Sequence, residues 1–133
     1  MNVIVCIDNR MGMLFNHRRQ SQDRILREYL LNLTAGRPLL MNAYSRQQFE
    51  DRDHLTVRED FLSQARQEDY CFVENQPLTP WEEKISQLIV CKWNRDYPGD
   101  QFLDLDLARW HLKSSRDFPG SSHENITVEV YEK

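Results

Sequence analysis

An α/β domain with a mainly parallel central sheet, layered on both faces, and antiparallel strands toward its carboxyl end is what this sequence predicts. Three observations carry that expectation. The first stretch, Asn2 to Asp8, is a continuous apolar run, β-branched at Val3, Ile4, Val5 and Ile7, as in strands covered on both faces. A one-sided stripe of helical period and a second apolar run follow it, which makes a β-α-β unit with parallel strands. From Gln87 onward the pattern changes to alternating segments parted by turns, as in antiparallel strands.

The elements follow in order. After the first strand the segment Phe15 to Gln20 reads as a loop, and Ser21 offers an N-cap for a helix over 22–34. Ile25, Leu26, Tyr29, Leu30 and Leu33 form its apolar stripe, and Gly36 with Pro38 stops it. Pro38 to Tyr44 reads as a buried strand, and Ser45 caps a short helix to Phe49. Leu55 to Val57 reads as a short strand, and Asp60 caps one helical turn to Ala65. Tyr70 to Glu74 is a strand, and Thr79-Pro80-Trp81-Glu82 has the form of a capping box opening a short helix. Strands over 88–93, 102–106, 110–113 and 126–131 complete the chain, with Tyr97-Pro98-Gly99-Asp100 as a turn between the first two.

Composition narrows the function classes. The chain has 133 residues, 40% of them hydrophobic, enough for one domain with a core of its own over 1–133. A net charge of -4, with both signs interspersed, argues against a protein that coats duplex nucleic acid. No charged leader and no apolar run of spanning length is present, so a soluble, cytoplasmic protein without a membrane partner is expected. Cys6, Cys71 and Cys91 sit singly among apolar residues and read as buried free thiols. His17, His54, His111 and His123 are scattered, so no metal site is expected.

The order of these elements resembles that of dihydrofolate reductase. The residues that carry the resemblance are the first strand with its Met11-Gly12 loop, the helix with Asp23 in its first turn, and Gly36-Arg37-Pro38-Leu39-Leu40-Met41-Asn42. At the carboxyl end they are Trp110 opening a strand and a loop with His123 before the last one. The resemblance implies a dihydrofolate reductase-like three-layer fold. It also implies two glycine-based sites for the phosphates of a nicotinamide cofactor. Asn42-Ala43-Tyr44 and Glu74-Asn75-Gln76 stand where those sites belong, so a degenerate reductase with no cofactor is expected. The ending Gly120-Ser121-Ser122-His123-Glu124 also resembles that of short chains named ribonuclease Z, but the His-x-His-x-Asp-His cluster of that chemistry is absent.

Candidate ligand-binding residues gather around the first strand. Asp8 closes that strand at the end where open α/β sheets bind ligands. Asn16, His17, Arg18 and Arg19 form the densest set of donors, entering a helix N-terminus, and read either as an anion site or as a solvated basic turn. Asp23 reads as a carboxylate for an amidine-like edge or as an acid on the helix dipole. Trp93 offers a stacking face, and Arg95, Ser121, Ser122 and His123 can line the same cleft.

Two functions of different class follow. One is a binding domain for a small anionic or heteroaromatic ligand, of nucleotide or pterin type. The other is an enzyme, either a nicotinamide-dependent reductase with an altered cofactor pose or a phosphodiesterase or ribonuclease using Asp104 or Asp106 with a divalent metal.

Overall fold

The first apolar run becomes β1 (Asn2–Ile7), with β6 (Tyr70–Phe72) paired parallel on one side and β7 (Gln87–Lys92) parallel on the other. This computed structural model describes residues 1–133. The strand is buried because its two faces feed two different cores. Val3, Val5 and Ile7 pack with Phe61, Leu62, Leu78 and Ile85, while Ile4 packs with Leu26, Leu30 and Leu31 of the first helix. A strand between two layers has no polar face, which is why its sequence does not alternate.

Seven strands form the main sheet, in the order β5-β4-β6-β1-β7-β10-β9. The other members are β4 (Leu39–Met41), β5 (Leu55–Val57), β9 (His111–Phe118) and β10 (Ile126–Glu132). The pairs among β5, β4, β6, β1 and β7 are parallel, and β10 runs antiparallel to both β7 and β9. The expected change of pattern at Gln87 therefore comes one strand later. β7 still runs parallel to β1, and only its far edge meets an antiparallel partner. A strand whose two neighbours run in opposite directions carries no mark of either in its own sequence.

A small sheet lies apart from the main one: its hairpin falls where a loop over Phe15 to Gln20 was expected, and of the strand expected over 102–106 only Phe102 is paired. β2 (Gly12–Phe15), β3 (Arg18–Arg19) and β8 (Gln101–Phe102) pair antiparallel in the order β3-β2-β8. Leu14 faces Arg19 and Phe15 faces Arg18, which leaves Asn16 and His17 as a two-residue turn with φ of 51° and 63°. Positive φ at both central positions is the I′ geometry whose twist suits a hairpin. Asn accepts it readily and His less so, and the absence of glycine hides the turn from a sequence reading.

Capping choices also differ from the sequence expectation. α1 (Arg24–Leu33) is capped by Asp23, whose side chain accepts from the amides of Ile25 and Leu26, and not by Ser21. α2 (Ala43–Arg46) is capped by Asn42, and α3 (Phe61–Gln64) has no side-chain cap, because Asp60 holds Arg58 instead. The segment Thr79–Lys84 is a 3₁₀ helix in which Thr79 turns its hydroxyl to Asp104, so the capping box does not form. Asp104 also accepts from the amides of Leu78 and Thr79, and Asp106 caps the turn at Leu107–Arg109. Both acids that the alternative enzyme reading gave to a metal thus serve the backbone.

All three cysteines are free thiols. Cys71 and Cys91 are buried and Cys6 half-buried, and burial pushes the Cys71 thiol up to about 12. No helix is long and apolar enough to cross a membrane.

Candidate functional site

The carboxyl ends of β1, β6 and β7, with the loops that follow them, define the crevice where open α/β sheets take ligands. Its residues come from six places in the chain: Asp8, the β2-β3 hairpin, the start of α1, Glu74 after β6, Trp93 and Tyr97 after β7, and the loop before β10.

Asp8, 3% exposed, follows β1. It accepts from the amides of Arg10 at 2.9 Å, Gly12 at 2.8 Å and Tyr97 at 3.1 Å, and from the Gln20 amide group at 3.3 Å. Burial alone would raise its pKa, but these donors outweigh it and hold the group below its ordinary value. Asp8 ties three loops together, and its lone pairs face inward.

Asp23 is enclosed more completely, with a side chain 0% exposed. One carboxylate oxygen accepts from Ile25, Leu26 and Ser121 amides at 3.0 to 3.1 Å. The other accepts from the Ser122 amide at 2.9 Å and faces His123 Nδ1 at 3.0 Å. Burial works to raise this pKa as well, and the Ser122 amide, His123, and the Ser121 and Leu26 amides hold it well below the usual carboxylate range. Gly120 is obligatory here, since a Cβ on it would lie 2.4 Å from the Asp23 carboxylate.

His123 is the centre of this cluster. Its ring stacks on Trp93 with centroids 4.6 Å apart and planes inclined by 23°. With Asp23 ionised, Nδ1 donates to it, and in the neutral ring Nε2 is then an acceptor. Ser21 Oγ lies 3.0 Å from Nε2 and Tyr97 Oη 2.9 Å from it. Of the two sequence readings of Asp23, one has it hold the amidine-like edge of a heteroaromatic ligand, with Trp93 as a stacking face in the same cleft. Asp23 and Trp93 hold such a ring, and it belongs to the chain itself.

The Ser21–His123–Asp23 order is also that of an acyl-transfer triad. Two features remove the chemistry. Tyr97 shares the acceptor nitrogen, and the cavity beside Ser21 measures about 10 Å³. That cavity is lined by Cys6, Phe72, Trp93 and Glu74 among others, and two buried side-chain atoms without partners, Gln20 Oε1 and Gln48 Nε2, belong to lining residues. Its size and polarity suit one water molecule and nothing larger.

Arg18 and Arg19 do not converge on the helix start. Arg19 forms a two-pronged pair with Glu74, at 2.9 and 3.1 Å, and lies 4.4 Å over the Tyr44 ring. The α1 amides are taken too, by Asp23 and by Ser121 Oγ, which accepts from Arg24. Arg18, Asn16 and His17 are exposed at the hairpin, and Arg95 reaches only the Ser122 carbonyl at 3.4 Å. Arg18 borders an open groove of about 310 Å³ with Phe15, Asn16, Tyr97 and Pro98. Sequence reasoning missed Ser21, Gln20, Glu74 and Tyr97 as partners, and Phe15 as a groove wall. The signal for the last was an aromatic ring placed directly before Asn-His-Arg-Arg. A larger hollow of about 440 Å³, lined by Thr79, Glu82, Glu83, Arg109, Trp110 and Lys133, includes residues of the 3₁₀ segment that leads into β7, at the other end of the sheet.

No protein-family model matches this sequence, and no curated protein matches it either. Among solved structures it is similar to a dihydrofolate reductase from Enterococcus faecalis complexed with NADP(H) and RAB-propyl. The two share 10% identity and superpose with a TM-score of 0.69 over 98% of this chain and 94% of that one. The class defined is therefore a dihydrofolate reductase-like α/β fold. At that identity the likeness concerns the fold alone.

Proposed function

We propose that this protein is a small-ligand binding domain on a reductase-like fold, that it performs no nicotinamide-dependent reduction, and that its ligand is anionic and heteroaromatic. The observation that carries the reading is the contrast around the hairpin: the crevice is filled by the chain's own side chains, while Arg18, free of any carboxylate, stands over an open groove. A volume of about 310 Å³ is at the lower end of what a small ligand occupies. Phe15 at 47% exposure supplies a face for a planar ring, and Arg18 supplies charge-assisted donors.

The similar reductase was solved with NADP(H), and the residues here do not fit that group. At the start of α2, where the resemblance places a phosphate, the Ala43 amide donates to Glu59 at 2.9 Å and the Ser45 amide to Asn42 at 3.0 Å. At the second expected site Glu74 is locked to Arg19, and Asn75 accepts from the Asn42 side chain. Two carboxylates, Glu59 and Glu74, thus lie where a cofactor's own negative charge would have to go, and the cavity beside Glu74 and Trp93, of about 10 Å³, has room for no more than one water molecule.

Calorimetry with thymidine monophosphate, inorganic phosphate and a folate tests the reading. The nucleotide should bind, and Arg18→Ala should weaken it about tenfold, as expected for one charge-assisted contact of roughly 1.5 to 3 kcal/mol. Consumption of reduced nicotinamide cofactor with dihydrofolate above the uncatalysed rate would overturn it. So would equal affinity of wild type and Arg18→Ala for every compound in the set.

A further inference from the structure

The groove at Arg18 has a neighbour. A second open groove, of about 300 Å³, is lined by Asp8, Arg10, Phe15, Tyr97, Pro98, Gly99 and Phe102. The two share Phe15, Tyr97 and Pro98, so they run into one another across a single wall. β2 pairs with β8, with Gly12 facing Phe102, and this pairing sets Phe15 and Phe102 on one small sheet. They are the two most exposed phenylalanines of the chain, at 47% and 48%.

Each groove also carries one arginine outside any ion pair, while Arg19, which lines the first as well, is held by Glu74. Arg18 stands at the first and Arg10 at the second, and neither takes part in any ion pair of the structure. Arg10 is held only by the Tyr97 carbonyl at 3.5 Å. The acids nearby are committed: Asp8 to four donors, and Asp100 to the Asn16 amide at 3.0 Å. Neutral donors leave the charges of Asp8 and Asp100 in place, so the strip is marked not by net charge but by two exposed rings beside two guanidinium groups outside any ion pair.

We infer that this strip binds single-stranded nucleic acid, one base against Phe15 and the next against Phe102, with Arg18 and Arg10 each on a phosphate of the two nucleotides. The inference rests on the reading of the Arg18 groove given above and extends its ligand from one nucleotide to a strand. Alternating rings and cations are what a strand needs, because every base has a face to stack and every linkage a charge. A duplex hides its base faces and is refused by the same surface. The protein's overall negative charge keeps binding confined to the strip.

Fluorescence anisotropy with labelled octathymidylate, beside calorimetry with thymidine monophosphate, tests the extension. Stacking of a second base contributes about 1 to 3 kcal/mol, so octathymidylate should bind about tenfold or more tightly than the monophosphate. Phe102→Ala and Arg10→Ala should each weaken octathymidylate about tenfold and leave the monophosphate unchanged, while Arg18→Ala weakens both. Two phosphate contacts should give a slope of log affinity on log salt of roughly -1.4, at about -0.7 per phosphate of a single strand. All three side chains are exposed, and a thermal melt of each variant verifies that it folds. Equal affinity for octathymidylate and the monophosphate, or no effect of Phe102→Ala, would overturn the strand and leave the single-nucleotide reading in place. Binding of neither would overturn both.

Discussion

Arg18 and Arg19 are neighbours in sequence and opposite in circumstance. Strand β3 points successive side chains to opposite faces, so one guanidinium enters the crevice and the other stays in water. Arg19 meets Glu74 there, with only 19% and 8% of the two side chains exposed. Arg18 meets no carboxylate and borders a groove wide enough for a ligand. The inner side of the hairpin has therefore been given over to stability and the outer side left available for binding. A basic pair in a sequence need not act as a pair.

The same division separates Asp23 from the grooves, and breaking it should have the largest effect. Asp23→Ala leaves the Ser121 and Ser122 amides, two helix amides and His123 without their acceptor, and the side chains of Asp23 and His123 at the centre of the cluster are closed to water. Removing one member of such a buried, charged network costs about 3 to 5 kcal/mol, so urea unfolding should show the variant at the edge of stability or unfolded. A loss below about 1 kcal/mol would mean that the cluster is solvated and that the crevice can open.

The hairpin itself offers a sharper contrast with a smaller effect. Arg19→Met strands Glu74 and should cost about 2 to 3 kcal/mol, discounted for the partial exposure of the pair, and adding Glu74→Leu should recover most of it. Arg18→Ala should stay within about 0.5 kcal/mol of wild type, as an exposed residue without partners does. Comparable losses at both positions in denaturant titrations would erase the distinction between the two faces.

Acid should weaken the inner side more gradually. Asp8 and Asp23 have folded-state pKa values below their unfolded ones, so their contribution is complete above about pH 4. It is lost as the pH falls through the folded values. The urea midpoint should accordingly drop as the pH is lowered from about 4 toward 2, with a shallower slope for Asp8→Asn. An unchanged midpoint over that range would show that neither carboxylate is bonded as described.

The parts legible in the sequence were those that depend on near neighbours in the chain. β1 declares itself by an unbroken apolar run and α1 by a stripe of period 3.6, and from these the mainly parallel sheet and the reductase-like order follow. Asn42-Ala43 and Glu74-Asn75 drew notice only through the resemblance, which implies glycines at those places. The β2-β3 hairpin was missed because its turn uses Asn and His where the recognisable form uses glycine.

What the sequence by itself determined is the fold class, the central strand and some of the residues around its carboxyl end, Asp8, Asp23, Trp93 and His123 among them. Only the tertiary structure decided which of those residues are spent on one another. Asp23 and His123 lie 100 positions apart, and Arg19 and Glu74 lie 55 apart. Apolar periodicity is written in the order of the chain and can be read along it. The choice of a partner for a charged group is made by distance and by exclusion of water, and both come into being only when the sheet has brought distant loops together.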